Sequence, residues 1–160
     1  KQWNAAFDAG YASALSKALI IMHDDEHQHA LKEVDAAALA VTKSVDEVVT
    51  AVAWGLIEPR RNKELSYMAV EKTGLGCVED KILKNERKTL GLLRDMQGTK
   101  TVGVISEDKN TGIIEIARPV GVVGAVTPST NPVATPTNNT LNALKGRNAI
   151  ILAPSPGPLP

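Results

Sequence analysis

Three places in the chain hold side chains whose type and spacing could do chemistry. The first is the turn Thr127-Pro128-Ser129-Thr130-Asn131-Pro132, together with Ser155 further along. Hydroxyls, an amide and backbone N–H groups are neutral donors and acceptors, suited to holding a ligand. The second is His23-Asp24-Asp25-Glu26-His27-Gln28-His29, with histidines at i and i+4. On one helical face that spacing could bind a divalent cation. With no third ligand motif elsewhere, the segment reads as a solvated polar face, and no metal site is assigned. The third is Cys77, the only cysteine. It lies between a helix-ending glycine and two carboxylates, with no histidine close in sequence to act as its base, so it reads as structural.

The turn is framed by two apolar runs, Val120 to Val126 and Ala149 to Leu152, with about a dozen helix-compatible residues ending at Lys145-Gly146 between them. Short valine- and isoleucine-rich runs either side of one helix predict a βαβ unit with strands buried on both faces. In such units ligands sit at the carboxyl ends of the strands, beside the helix N-terminus. Thr127–Asn131 and Ala153–Ser155 therefore form the expected functional edge. No G-x-G-x-x-G follows the first strand and there is no G-x-x-x-x-G-K-[ST], so neither usual phosphate fingerprint is present. Physical reasoning alone leaves two readings of this unit, a nucleotide-binding edge and a purely structural element.

Upstream, the chain reads as helices. Phe7, Tyr11, Leu15, Ala18, Leu19 and Met22 recur at three- and four-residue spacing and predict an amphipathic helix. Ala36–Ala40 then joins it to a helix capped by Ser44, with Asp46 and Glu47 in its first turn and Val45, Val48, Val49, Val52 and Leu56 as its apolar stripe. Pro59 stops that helix. A third, about Asn62 to Lys72, presents Leu65, Met68 and Ala69 inward and ends at Gly74. A fourth runs from about Val78 to the Leu90–Leu93 region, closed by Gly98. Thr101–Ser106 and Gly112–Ala117, separated by Glu107-Asp108-Lys109-Asn110-Thr111, predict a β-hairpin.

Composition narrows the class. The 160 residues are 43% apolar but only 3% aromatic, enough for one aliphatic core. Eighteen basic residues balance 18 acidic ones, so there is no electrostatic case for nucleic acid or an anionic membrane. One cysteine excludes an internal disulfide and fits a reducing cytoplasm. No run approaches the roughly 18 apolar residues of a membrane span, and the N-terminus lacks the order of a signal peptide.

Pro119-Val120-Gly121-Val122-Val123-Gly124, the turn with Asn131-Pro132, and Ala143 to Ile151 resemble the aldehyde dehydrogenase superfamily. Ala69-Val70-Glu71-Lys72-Thr73-Gly74-Leu75-Gly76, Val78-Glu79-Asp80-Lys81, Lys84-Asn85 and Val102 to Asp108 are similar to its CoA-acylating branch. That branch includes the aldehyde half of bifunctional aldehyde-alcohol dehydrogenases and sulfoacetaldehyde dehydrogenases. The resemblance covers about Ser44 to Ser155, with several motifs in order.

The resemblance implies an α/β fold: the N-terminal part of a Rossmann-type cofactor domain, with N-terminal helices and a projecting β-hairpin. On that basis residues 1–100 form the helical part, 101–118 an oligomerisation-type hairpin and 119–160 the first βαβ unit. The implied reaction converts an aldehyde, coenzyme A and NAD or NADP to an acyl-CoA through a cysteine thiohemiacetal. The nucleophile would lie beyond Pro160, so the chain alone is expected to be inactive. Asn131 or Thr130 would donate to the oxyanion. Thr127, Pro128 and Ser129 would border the nicotinamide ribose, with Ser155 near the adenosine ribose. Ala153 stands where many hydrolytic members place a ribose-binding lysine, which leaves NAD against NADP open. The turn with Leu92-Leu93-Arg94-Asp95 looks most like members acting on sulfoacetaldehyde; acetaldehyde, propionaldehyde and succinate semialdehyde stay open. The expected setting is the cytoplasm, or a bacterial microcompartment if the N-terminal helix is an encapsulation signal, with a homo-oligomer built through the hairpin. The competing reading is a non-catalytic α/β interaction module acting through its hairpin and N-terminal helix.

Overall fold

A computed structural model describes residues 2–23 and 32–156. The chain divides into two compact units, Lys1–Ala51 and Val52–Pro160. The predicted polar stretch from Asp24 to His29 lies outside the described residues.

In the first unit, helix α1 (Gln2–Ala14) gives way to strand β1 (Ile20–Met22), helix α2 (Lys32–Ala37) and strand β2 (Ala40–Thr42). The two strands pair in parallel, Ile20 with Ala40 through Met22 with Thr42. The expected helix therefore stops short of Leu19–Met22. Ser16 takes a left-handed conformation, with φ of 54°, which breaks the helical path, and the Ile-Ile pair beyond it favours extended backbone. The expected inward stripe is not buried either: Phe7 is 74% and Tyr11 62% exposed, while Ala9 is buried. Ala36–Ala40, expected as a connector, holds the end of α2 and the start of β2.

The unit boundary falls within α3 (Val45–Ile57). Its start follows the sequence closely. Ser44 Oγ accepts from Glu47 N–H at 3.2 Å, while Glu47 Oε2 accepts from Lys43 N–H at 2.9 Å, a reciprocal capping arrangement. Pro59 ends α3 and starts α4 (Pro59–Thr73), with Glu58 as N-cap. Its carboxylate accepts from Arg60 N–H at 3.1 Å and Arg61 N–H at 2.9 Å. Those backbone bonds hold the Glu58 pKa below its ordinary value. Gly74 closes the helix at φ 65°, its N–H donating to Val70 O.

Helix α5 (Val78–Met96) packs on α4 through a polar seam. Asn85 Nδ2 donates to Asn62 Oδ1 at 2.8 Å and to Ser66 Oγ at 3.1 Å, and Asn62 Nδ2 donates to Ile82 O at 3.1 Å. Asn62, Ser66 and Asn85 are all buried. This corrects the expected inner face of α4: Met68 is 47% exposed, and the buried positions are Asn62, Ser66 and Ala69. The polar side chains can be buried because they satisfy one another.

Strands β3 (Gly103–Asp108) and β4 (Ile113–Ala117) form the expected antiparallel hairpin, with a bulge between Val104 and Ser106. Asp108 organises the turn. Its carboxylate accepts from Thr111 Oγ1 at 2.8 Å and Asn110 N–H at 2.9 Å, which lowers its pKa. Gly112, at φ 70°, brings the chain back.

Strand β5 (Val122–Thr127), helix α6 (Ala134–Lys145) and strand β6 (Ala149–Pro154) form the expected βαβ unit, with β5 and β6 parallel from Val122–Ala149 to Thr127–Pro154. Helix α6 packs against both strands and against α5. The expectation of burial on both faces does not hold in this chain: Val122 is 62%, Val126 77% and Ile151 66% exposed. A parallel pair needs a helical layer on each face, and α6 supplies one. At the opposite end, Asn148 Oδ1 accepts from Val120 N–H at 2.7 Å and Gly121 N–H at 3.0 Å. Its Nδ2 donates to Gly146 O at 3.1 Å. One side chain thus ties the entry of β5 to the α6–β6 turn.

Two outcomes test these features. Asn85→Ala removes the donor shared by two buried oxygens, leaving Asn62 Oδ1 and Ser66 Oγ only their mutual bond at 3.3 Å, and is expected to lower unfolding free energy by about 1–3 kcal/mol; a loss under about 0.5 kcal/mol in urea titration, the range of a neutral surface change, would contradict the seam. Because the Asp108 pKa is depressed on folding, its support of the turn is present above the unfolded pKa and lost as pH falls through the folded one. An NMR titration of Asp108 should find its midpoint below that of the same sequence as an unfolded peptide, and a midpoint at or above the peptide's would refute the hydrogen bonding.

Candidate functional site

The parallel pairing brings the two expected segments to one edge. Thr127 ends β5 directly beside Pro154 at the end of β6, and Ser155 N–H donates to Thr127 O at 2.8 Å. The chain then turns, with Asn131 N–H donating to Pro128 O at 3.2 Å, and enters α6. Thr127 is buried, so its contribution is backbone position. Pro128, Ser129 and Thr130 are exposed, and Asn131 and Ser155 are half-buried. The six singled-out residues therefore share the carboxyl edge of β5 and β6.

Asn131 differs from its neighbours in being held. Its Nδ2 donates to Thr135 Oγ1, in the first turn of α6, at 2.8 Å. No side-chain group caps the α6 N-terminus, where Val133 occupies the N-cap position, and the first turn carries no acid. From Thr127 to Leu144 the sequence contains no ionisable side chain. The edge is thus a neutral surface of hydroxyls, an amide and a helix N-terminus whose dipole favours negative charge. It can orient a ligand and stabilise an oxyanion; it holds no group that could act as nucleophile or as general acid or base near neutral pH. The uncapped helix end and the exposed hydroxyls of Ser129 and Thr130 would suit the phosphates and ribose hydroxyls of a nicotinamide dinucleotide.

A cleft of about 420 Å³ lies where α6 crosses β5, lined by Val123, Gly124, Ala125, Asn139, Asn142, Ala143 and Asn148. None of the expected site residues lines it. Its lining is the middle of β5, α6 from Asn139 onward and Asn148 in the α6–β6 turn, away from the carboxyl edge, so it is not the site described above.

Cys77 is exposed at the N-cap position of α5. Of the histidine-rich stretch, only His23, just past the end of β1, is described; its Nε2 lies 3.0 Å from Asp35 Oδ2 on α2. Sequence reading missed this pair, as it missed the strand that ends beside it. The Asn131–Thr135 bond was also missed, although their i, i+4 spacing around Pro132 was visible.

A family model described as nucleoside 2-deoxyribosyltransferase YtoQ matches residues 1–56, about a third of the chain. A sulfoacetaldehyde dehydrogenase (acylating) from Cupriavidus necator is 54% identical over 145 residues, 91% of this chain and 28% of that protein. With at most 160 − 145 = 15 residues outside it, this second match overlaps most of the first. Among solved structures, an acetylating aldehyde dehydrogenase from Geobacillus thermoglucosidasius superposes with a TM-score of 0.65 at 42% identity, over 70% of this chain and 24% of that one. An engineered glycolyl-CoA reductase with bound NADP+ matches at TM-score 0.53 and 30% identity, over 69% of this chain and 25% of the other. The chain thus spans about a quarter of the length of the relatives it matches. By sequence and by fold, it is homologous over that span to the CoA-acylating aldehyde dehydrogenases.

Proposed function

We propose that this chain is part of an enzyme that converts an aldehyde, coenzyme A and NAD+ or NADP+ to an acyl-CoA and NAD(P)H. The observation that carries this is the 54% identity to a sulfoacetaldehyde dehydrogenase (acylating), on a segment whose β5 and α6 present an uncharged, donor-rich edge. The same likeness favours sulfoacetaldehyde as the aldehyde. It also disfavours the interaction-module alternative, because a module with no catalytic ancestry would not share this sequence across 91% of its length.

Within that reading the chain's own residues bind and orient. Asn131 is assigned as the oxyanion donor in preference to Thr130, because its amide is half-buried and fixed while Thr130 is exposed. A donor fixed before the reaction needs little reorganisation when charge develops. Thr127 to Ser129 would border the nicotinamide ribose through backbone, and Ser155, tied to Thr127 O, the adenosine ribose. The bound nicotinamide would supply the hydride acceptor. The neutrality of the edge leaves proton transfer and nucleophilic attack to residues outside this segment.

The division into a helical part (1–100), an oligomerisation hairpin (101–118) and a first βαβ unit (119–160) belongs to the same proposal. It is supported by the exposure of Ile113, Ile114 and Ile116 on β4, at 64%, 53% and 52%. An open, isoleucine-rich hairpin is an aggregation risk unless another copy covers it, so homo-oligomerisation through it is the assigned partner mode. Among the described residues no helix is long and apolar enough to cross a membrane. A cytoplasmic setting, or a microcompartment reached through the N-terminal helix, is assigned on the same footing.

The test is turnover by the full-length protein carrying this segment. NAD(P)H should form only when sulfoacetaldehyde and coenzyme A are both supplied; steady turnover without coenzyme A would place the protein with hydrolytic aldehyde dehydrogenases instead. Replacing Asn131 by Ala should slow hydride transfer roughly 10- to 1000-fold, measured in a single turnover. An unchanged rate would remove Asn131 from the site.

A further inference from the structure

We infer that Thr135 is a positioning residue for the Asn131 amide, and that its hydroxyl oxygen sets the direction of the donor on which the proposed reaction depends. This rests on the assignment of Asn131 made above. Three threonines stand in the first two turns of α6, and they are used differently. The hydroxyls of Thr137 and Thr140 donate back to the carbonyls of Val133, at 3.0 Å, and Pro136, at 2.8 Å. That is the ordinary resting place of a threonine hydroxyl within a helix. Thr135 instead presents its oxygen as an acceptor to a side chain outside the helix, Asn131 Nδ2, at 2.8 Å.

Asn131 lies two residues before the N-cap position and does not cap the helix; Val133 holds that place without a side-chain bond. The amide is therefore not spent on the helix backbone. Its two N–H bonds diverge from one planar nitrogen. With one bond held by Thr135, the other points away from Thr135 in a fixed direction, and no described residue accepts it. Pro132 restricts the backbone of Asn131 as well, so main chain and side chain are both constrained. A threonine at this position thus converts a mobile turn amide into a pre-aimed one, which is the condition for strong oxyanion stabilisation.

The experiment compares Thr135→Val, which keeps the shape and removes the acceptor, with Thr135→Ser, which restores it, in the full-length enzyme. Single-turnover hydride transfer from sulfoacetaldehyde should fall about tenfold in Thr135→Val with little change in KM, and recover to within about twofold in Thr135→Ser. In an Asn131→Ala background, Thr135→Val should cause no further loss. Crystal structures of both variants give a readout independent of turnover: Asn131 should keep one side-chain conformer with Ser and lose it with Val. An Asn131 unmoved by Thr135→Val, equal impairment by Val and Ser, or additive losses with Asn131→Ala would overturn the inference. If the unmodified enzyme failed to turn over aldehyde with coenzyme A, the functional reading would fall, and the crystallographic comparison would still decide the role of Thr135.

Discussion

The parallel pairing of β5 with β6 is the constraint on which the rest of the second unit depends. Two consecutive strands can run parallel only if the chain between them crosses back over the sheet, and α6 is that crossing. The pairing puts both strand ends at one edge, and the bond from Ser155 to Thr127 extends the register one residue past the strands. The crossing also points the α6 N-terminus at the same edge. Turn, helix end and the exit from β6 therefore converge without any long-range contact specific to function. At the far end, the Asn148 amide fixes where β5 begins relative to the α6–β6 turn, so the unit is held at both ends and the edge inherits its geometry from a backbone framework.

Helices α4 and α5 solve a different problem. Their contact is built from Asn62, Ser66 and Asn85, which cost free energy to bury unless each finds partners. Here they find one another, and the geometry of amide to amide and hydroxyl is far more demanding than leucine against leucine. Such a seam admits few alternative alignments of the two helices. Since α5 in turn packs on α6, a defined position for α5 supports a defined position for the helix that carries Thr135.

Much of this was legible in the sequence, and the reasons are particular. Ser44 with Glu47, Pro59, Gly74 and the β5 and β6 runs each carry a local signal strong enough to fix an element without tertiary help. The first unit was misread because Leu19 to Met22 continues the spacing of the preceding helix, while the left-handed Ser16 that interrupts it has no sequence signature. Three-residue strands are too short for periodicity to reveal. The face of α4 was misassigned because asparagine and serine read as solvent-facing, and only the partner Asn85, 23 residues away, makes their burial favourable. At the site, the turn is legible from its place between an apolar run and a helix-compatible stretch, whereas the hold of Thr135 on Asn131 depends on side-chain geometry. The two-sided apolarity of β5 and β6 was read correctly as chemistry but overstated as burial, since one helix covers one face.

The absence of ionisable groups between Thr127 and Leu144 has a consequence for how an enzyme built on this edge would respond to acidity. A surface made of amides, hydroxyls and peptide dipoles keeps the same field across the whole physiological range, because nothing in it gains or loses a proton there. Any acidity profile would then belong to the nucleophile and its neighbours, while the cradle for negative charge stays constant beneath them.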